Sequence, residues 1–201
     1  MRTQTVSLYT FNELSETAKE KAREWYRNNC LDYEWYDLTI DEWKEFGAML
    51  GIEIDNIYFS GFCHQGSGAC FTGNYSYLKG WKETLRKETG GGLFDKLAEI
   101  GQELQRIQKE YFYGISASVT HSDRYSHEYS VSVSVDFEQH NNSYRNNTTE
   151  AEKTVTECLR DFMRLIYSSL ESEYDYLMSD ECIDDMLVAN AYEFTENGEF
   201  Y

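Results

Sequence analysis

The sequence predicts an α+β domain: an antiparallel sheet of about four to five strands, covered by helices, in a single domain. Three observations carry this. First, Tyr113, Ile115, Ala117 and Val119 alternate with Gly114, Ser116, Ser118 and Thr120, and Tyr129, Val131, Val133, Val135 and Phe137 alternate with Ser130, Ser132, Ser134 and Asp136. Strict period two over both runs describes antiparallel strands with one buried face. Second, Phe94, Leu97, Ile100, Leu104, Ile107 and Tyr111 recur at three- and four-residue steps, the signature of an amphipathic helix. Third, two alternating runs flank a glycine-rich connection at 60–68 and read as a hairpin.

In chain order, residues 3–11 read as a short strand, with Val6, Leu8 and Thr10 on one side and Ser7, Tyr9 and Phe11 on the other. Ser15 is the expected N-cap of a helix whose apolar side carries Ala18, Ala22, Trp25 and Tyr26, and Asn28-Asn29 breaks it. A second helix runs from about 33 to 50, with Gly51 as its stop. Its expected core residues are Trp35, Leu38, Phe46 and Leu50. Residues 52–59 form a strand with an irregularity at Asp55-Asn56, and 69–77 form its hairpin partner. A short helix at 81–87 and the Gly90-Gly91-Gly92 joint precede the amphipathic helix. The two strongest strands follow, linked by a polar loop at 121–128. An Asn-rich linker near 140–149 leads to a C-terminal acidic helical part, 150–201. There Ala151, Val155, Leu159, Phe162, Met163, Ile166 and Leu170 form one apolar side. Asn197-Gly198, flanked by aromatics, marks a closing turn.

Charge constrains function more than any motif does. The chain has 36 acidic residues against 18 Lys and Arg, a net charge of −18. Such a surface repels phosphates and anionic membrane and attracts basic protein surfaces, so no direct nucleic acid and no membrane is expected as a partner. The 16% aromatic content argues against a disordered acidic tail. Residues 1–11 have no continuous apolar stretch of the signal-peptide kind, and no run approaches the roughly 18 apolar residues of a membrane span. Cys30, Cys63, Cys70, Cys158 and Cys182 are odd in number and irregularly spaced, which suits reduced cytosolic thiols.

Two acidic clusters are candidate partner-binding sites. Glu171, Glu173, Asp175, Asp180, Glu181, Asp184 and Asp185 lie in a stretch without Lys or Arg. Asp37, Asp41 and Glu42 belong to a second run, with Asp32, Glu34 and Glu45, against the single Lys44. Carboxylates at helical spacing can imitate a row of phosphates and pair with Lys and Arg of a target. The same pattern also describes a solvated, solubilising face.

The most distinctive local string is 60–71, SGFCHQGSGACF. Ser60, Gly61, His64, Gln65, Gly66 and Gly68 are candidate ligand-binding residues, because glycines let exposed amides approach an anion. The string is not a P-loop, a dinucleotide fingerprint or a nucleophile elbow, and a structured hairpin turn is the better account of it. Cys63, His64 and Cys70 match no common zinc spacing, and adjacent strand residues such as Cys63 and His64 point to opposite faces. His121, Asp123 and His127 share one loop, where polar residues are ordinary. No metal, cofactor or catalytic set is expected, and the chain does not read as an enzyme. The Ser/Thr face of the strongest strands offers a hydrogen-bonding surface, or an edge for strand addition.

The strings Leu14-Ser15-Glu16-Thr17-Ala18, Ile57–Phe62, Gln65–Ala69 and Ala191–Gly198 carry a resemblance. The chain resembles small acidic proteins of bacteriophage and prophage genomes, which are often left uncharacterised or labelled as the antitoxin of a toxin–antitoxin system. Its Cys63 stands where that pattern commonly has a bulky aromatic. The resemblance implies a phage setting and the bacterial cytoplasm. Charge and resemblance together lead to the expectation of an acidic, non-enzymatic protein. It would bind and neutralise a basic bacterial host or defence protein, such as a toxin, a nuclease or an anti-phage factor, with nucleic-acid mimicry as one route. The alternatives are a small-ligand or nucleotide-binding protein or enzyme using the 60–71 turn, and a virion assembly protein. Nothing in the sequence assigns an oligomeric state.

Overall fold

The structure, a computed structural model, describes residues 6–31, 34–62, 65–122, 124–138 and 148–201. Its elements are β1 (Tyr9–Thr10), α1 (Glu16–Asn29), α2 (Asp37–Met49), β2 (Ile52–Phe59), β3 (Ala69–Ser76), α3 (Trp81–Glu88), α4 (Gly91–Glu110), β4 (Ile115–His121), β5 (Val131–Phe137), α5 (Thr149–Leu177), α6 (Asp180–Ala189) and β6 (Glu193–Phe194). The class is α+β, with a four-stranded and a two-stranded sheet, both antiparallel. Packing divides the chain into two compact units, Met1–Asp37 with Glu171–Tyr201, and Leu38–Leu170. Most of the expected 140–149 linker lies outside the described residues.

The Leu38–Leu170 unit holds the sheet β2-β3-β4-β5. The irregularity expected at Asp55-Asn56 is a β-bulge, where the register shifts between Ile54 and Asn56. One extra residue reverses the parity of the strand. Ile52 and Ile54 before it and Ile57 and Phe59 after it therefore share the inner face, opposite Tyr75, Gly73, Phe71 and Ala69. Gly73 sits at φ +155° with the Glu53 carbonyl where a Cβ would be, so the bulge needs glycine there. Helices cover that inner face. Phe162 of α5 meets Phe71 and Trp43 edge-on, at 6.1 and 5.2 Å between ring centres.

Gln108 of α4 is wholly buried and fully used. Its carbonyl accepts the Ile115 N–H at 3.1 Å, and its amide donates to the Ile115 carbonyl at 2.7 Å and to the Tyr75 hydroxyl at 3.2 Å. Burial pushes the Tyr75 phenol up to about 12. The Tyr113 N–H returns to the Gln108 carbonyl at 2.7 Å, with Phe112 and Tyr113 left-handed at φ 53° and 62°. That turn closes α4, so β4 starts at Ile115 and not at Tyr113.

The other unit is built on Phe11, Leu14, Ala18, Ala22, Tyr26, Ile183, Leu187 and Phe194. Ser15 caps α1 as expected, accepting the Ala18 N–H at 3.3 Å. The expected strand at 3–11 is corrected. Residues 3–5 lie outside the described residues, and of 6–11 only Tyr9-Thr10 form a strand, pairing with Phe194 and Glu193 outside the main sheet. Thr10 and Glu13 form a capping box that turns the chain into a single 3-10 turn at Phe11–Glu13. At the other end Gly198, at φ +81°, makes the expected turn, and Trp25 stacks on Phe200 at 4.0 Å.

Two core assignments on α2 are also corrected. Leu38 is 85% exposed, and Trp43 takes the buried position. The helix starts at Asp37, which sets Trp43, Phe46 and Gly47 on the inner face and Leu38 on the outer one. Trp35 lies before the helix, half-buried, with its ring 5.6 Å from those of Tyr36 and Tyr174.

Candidate functional site

The two acidic clusters differ in kind. On α2, Asp37, Asp41, Glu42 and Glu45 are all exposed, at the three- and four-residue steps that put them on one face, and Leu38 stands among them. Trp43 and Phe46 on the opposite side hold the helix to its unit by burial. The face is thus acidic, with one exposed apolar residue, Leu38, near its N-terminal end.

The C-terminal cluster is partly consumed within its own unit. No Lys or Arg lies in 171–185, yet α1 supplies Arg23 and Arg27. Arg23 grips Asp184 through both nitrogens, Nε to Oδ1 at 2.6 Å and Nη2 to Oδ2 at 2.7 Å, and reaches Glu20 at 3.2 Å. Arg27 pairs with Asp180 and donates to the Met178 carbonyl at 3.3 Å. The hydrogen-bonded Asp184 carboxylate holds the Arg23 guanidinium protonated well above its ordinary range. Asp180 and Asp184 are therefore ion-paired within their own unit, with Asp180 still exposed. Asp175, Glu181 and Asp185 remain exposed, and Glu171 and Glu173 are half-buried.

The 60–68 turn is a closed hairpin end. The Ser60 N–H donates to the Gly68 carbonyl at 3.0 Å, and the Gly68 N–H to Ser60 Oγ at 3.1 Å. Gly61, Gln65 and Gly66 are exposed, with Gly66 at φ +89°, while Gly68 is buried against the His127 ring. His64, with Cys63, lies outside the described residues, as does Asp123. The structure brings the turn to the 124–130 loop: Ser60 Oγ lies 3.4 Å from the Ser126 carbonyl.

That loop is tied to α5 by residues that the sequence did not single out. Glu128, nearly buried, receives Arg164 Nε at 3.0 Å, and His127 Nδ1 lies 3.0 Å from its other oxygen. Arg164 also donates to the Tyr129 hydroxyl at 2.9 Å, and the Arg160 guanidinium covers the Tyr129 ring at 4.6 Å. Beneath the loop, burial pushes the Cys70 thiol up, which makes it a packing residue. His121 contacts the Tyr125 carbonyl at 3.0 Å and the Tyr58 ring. Both histidines thus serve their loop. Among the described residues no three His, Cys, Asp or Glu side chains gather as metal ligands.

Residues 35–180 match the family described as Domain of unknown function (DUF8835). The chain belongs to this family. The DUF8835 span takes in α2, the whole four-stranded sheet, the 60–68 turn and α5, and it ends at the first residue of α6. The α1 arginines that tie down Asp180 and Asp184 fall outside it. No curated protein and no solved structure matches the chain. Among the described residues no helix is long and apolar enough to cross a membrane.

Proposed function

We propose that this protein is a non-enzymatic interaction protein that binds and neutralises a basic protein, with the outer face of α2 as its contact. One observation carries the reading: Asp37, Asp41, Glu42 and Glu45 lie with Leu38 on one exposed helix, within a chain of net charge −18. The carboxylates steer a cationic partner and set its register, and Leu38 supplies apolar area to desolvate. A row of helical carboxylates suits a surface that otherwise grips phosphates, so the partner is a nucleic-acid-binding protein of the bacterial cytoplasm. The phage setting, with a toxin, nuclease or defence factor as target, rests on the resemblance of the 57–69 and 191–198 strings.

The test is capture from nuclease-treated bacterial lysate by the wild-type chain and by an Asp37→Lys/Asp41→Lys/Glu42→Lys/Glu45→Lys variant in parallel. A basic protein held by the wild type, released by salt or added DNA and missed by the variant supports the reading. Equal retention by both proteins overturns it.

A second reading places a small anion at the 60–68 turn. Its support is Arg160, whose Nε is buried without a hydrogen-bond partner while its guanidinium lies over Tyr129 of the adjoining loop. Thermal shifts with phosphate and nucleotides should then vanish in Gln65→Ala/Gly66→Ala. Shifts that persist in that variant count against this site.

A further inference from the structure

The two edges of the four-stranded sheet are built differently. Edge strand β2 carries the bulge at Asp55 and the exposed carboxylates of Glu53 and Asp55. Bulges and edge charges are the devices that stop strands from pairing with another chain. Edge strand β5, Val131–Phe137, has no bulge, no Pro, no Gly and no Lys or Arg, and it pairs regularly with β4 over its whole length. Among the described residues it has no partner on its other side.

Its hydrogen-bonding pattern can be read from one contact. The Glu138 N–H donates to the Gly114 carbonyl at 2.8 Å, which makes 138 and 114 a hydrogen-bonded pair of the β4–β5 ladder. In an antiparallel ladder such pairs alternate, so Asp136, Ser134 and Ser132 also turn their backbone groups to β4. The N–H and C=O groups of Val131, Val133, Val135 and Phe137 therefore point outward, at the open edge.

We infer that β5 pairs with β5 of a second copy of this chain, antiparallel about Ser134, and joins two sheets into one of eight strands. The strand is self-complementary in that register. Val133 meets Val135 and Val131 meets Phe137, each a pair of outward-facing residues, so every open backbone group finds a partner. Those side chains continue the half-buried inner face. On the outer face Ser134 meets Ser134, and Ser132 meets Asp136. The lone charge of the strand, Asp136, never faces its own copy. The two Asp136 residues stand four positions apart, about 13 Å at the strand rise, beyond the ~8 Å screening length of physiological salt. Self-repulsion thus does not oppose this edge as it would the acidic face of α2. The inference does not depend on the α2 reading.

Light scattering and sedimentation of the full chain, from low to high micromolar concentration, should show a species of twice the 23.6 kDa chain mass. Ser134→Lys sets lysine against lysine at the two-fold axis, on an exposed position. It should weaken the dimer by at least about a hundredfold while circular dichroism stays native. Val135→Pro removes an N–H that no strand of the monomer uses, and should act alike. Ser134→Cys sits in a non-hydrogen-bonded pair, where Cα atoms approach to about 4.5 Å, and should cross-link on mild oxidation, whereas Ser132→Cys should not. A wild-type chain of single mass at every concentration overturns the inference. So does a dimer that survives natively folded Ser134→Lys, or equal cross-linking through both cysteines.

Discussion

The acidic stretch on α6 and the acidic face of α2 have much the same composition and opposite fates. Asp184 and Asp180 are gripped by Arg23 and Arg27, while Asp37, Asp41, Glu42 and Glu45 stand exposed along one helix with Leu38. A carboxylate held by a half-buried arginine has already spent its charge on its own fold. A carboxylate on a face whose packing is done by residues behind it is free for a partner. What a charge does follows from what the neighbouring helix brings to it, and composition along the chain does not record that.

Several substitutions break or sharpen this contrast. The largest effect is expected from the fourfold lysine reversal on α2. Partner affinity should fall by at least about a hundredfold, because like charges at an interface cost several kcal/mol, and the urea midpoint should hardly move. Calorimetric titration with the captured partner and urea melts read the two quantities separately. Arg23→Ala should do the reverse. It leaves Asp184 without its bidentate donor and lowers stability by about 2 kcal/mol in urea unfolding, with partner affinity unchanged. Leu38→Ala should cost about tenfold in affinity with no loss of stability, since an 85% exposed side chain contributes almost no burial to the fold.

A pH effect adds a smaller contrast. The Thr10 N–H and hydroxyl hold the Glu13 carboxyl below its ordinary range. Its contribution is therefore present above the unfolded value and is lost as pH falls through the lower folded value. Glu13→Gln should lower stability slightly at neutral pH, leave the acid end nearly untouched and so flatten the acid limb of a stability-versus-pH profile. The smallest effect belongs to Asp175→Asn and Glu181→Gln, exposed carboxylates without an ion pair among the described residues, which should change stability by less than about 0.5 kcal/mol.

Much of the fold was legible because its signals are local. The Ser15 cap, the 52–59 and 69–76 hairpin and its irregularity at Asp55-Asn56, the apolar stripe of α5 and the Asn197-Gly198 turn all follow from residues within a few positions of one another. The misread positions hinge on where an element begins. Reading α2 from 33 admits Trp35 to the helix and Leu38 with it at a three-residue step, whereas the helix from Asp37 buries Trp43, Phe46 and Gly47. The first strand was over-extended because Thr10 and Glu13 compete for the backbone with a capping box. For the candidate sites, the carboxylates that lie exposed on α2 were visible as an acidic run in the sequence. The Glu128–Arg164 tie and the Ser60–Ser126 contact were not, because their partners are 36 and 66 residues apart.

The sequence by itself determined the class, the elements, the acidic surface and the seam at which β2 changes parity, since periodicity, caps and turn residues act over one or two turns of chain. Only the tertiary structure decided which acidic cluster is free, which polar side chain is buried to complete the sheet, and which edge of that sheet is left open. Each of those depends on a partner brought from far along the chain: Arg23 to Asp184, Gln108 to Tyr75, Gly114 to Glu138. Short-range propensity is blind to such pairs, and burial and hydrogen bonding settle them only once the elements have packed.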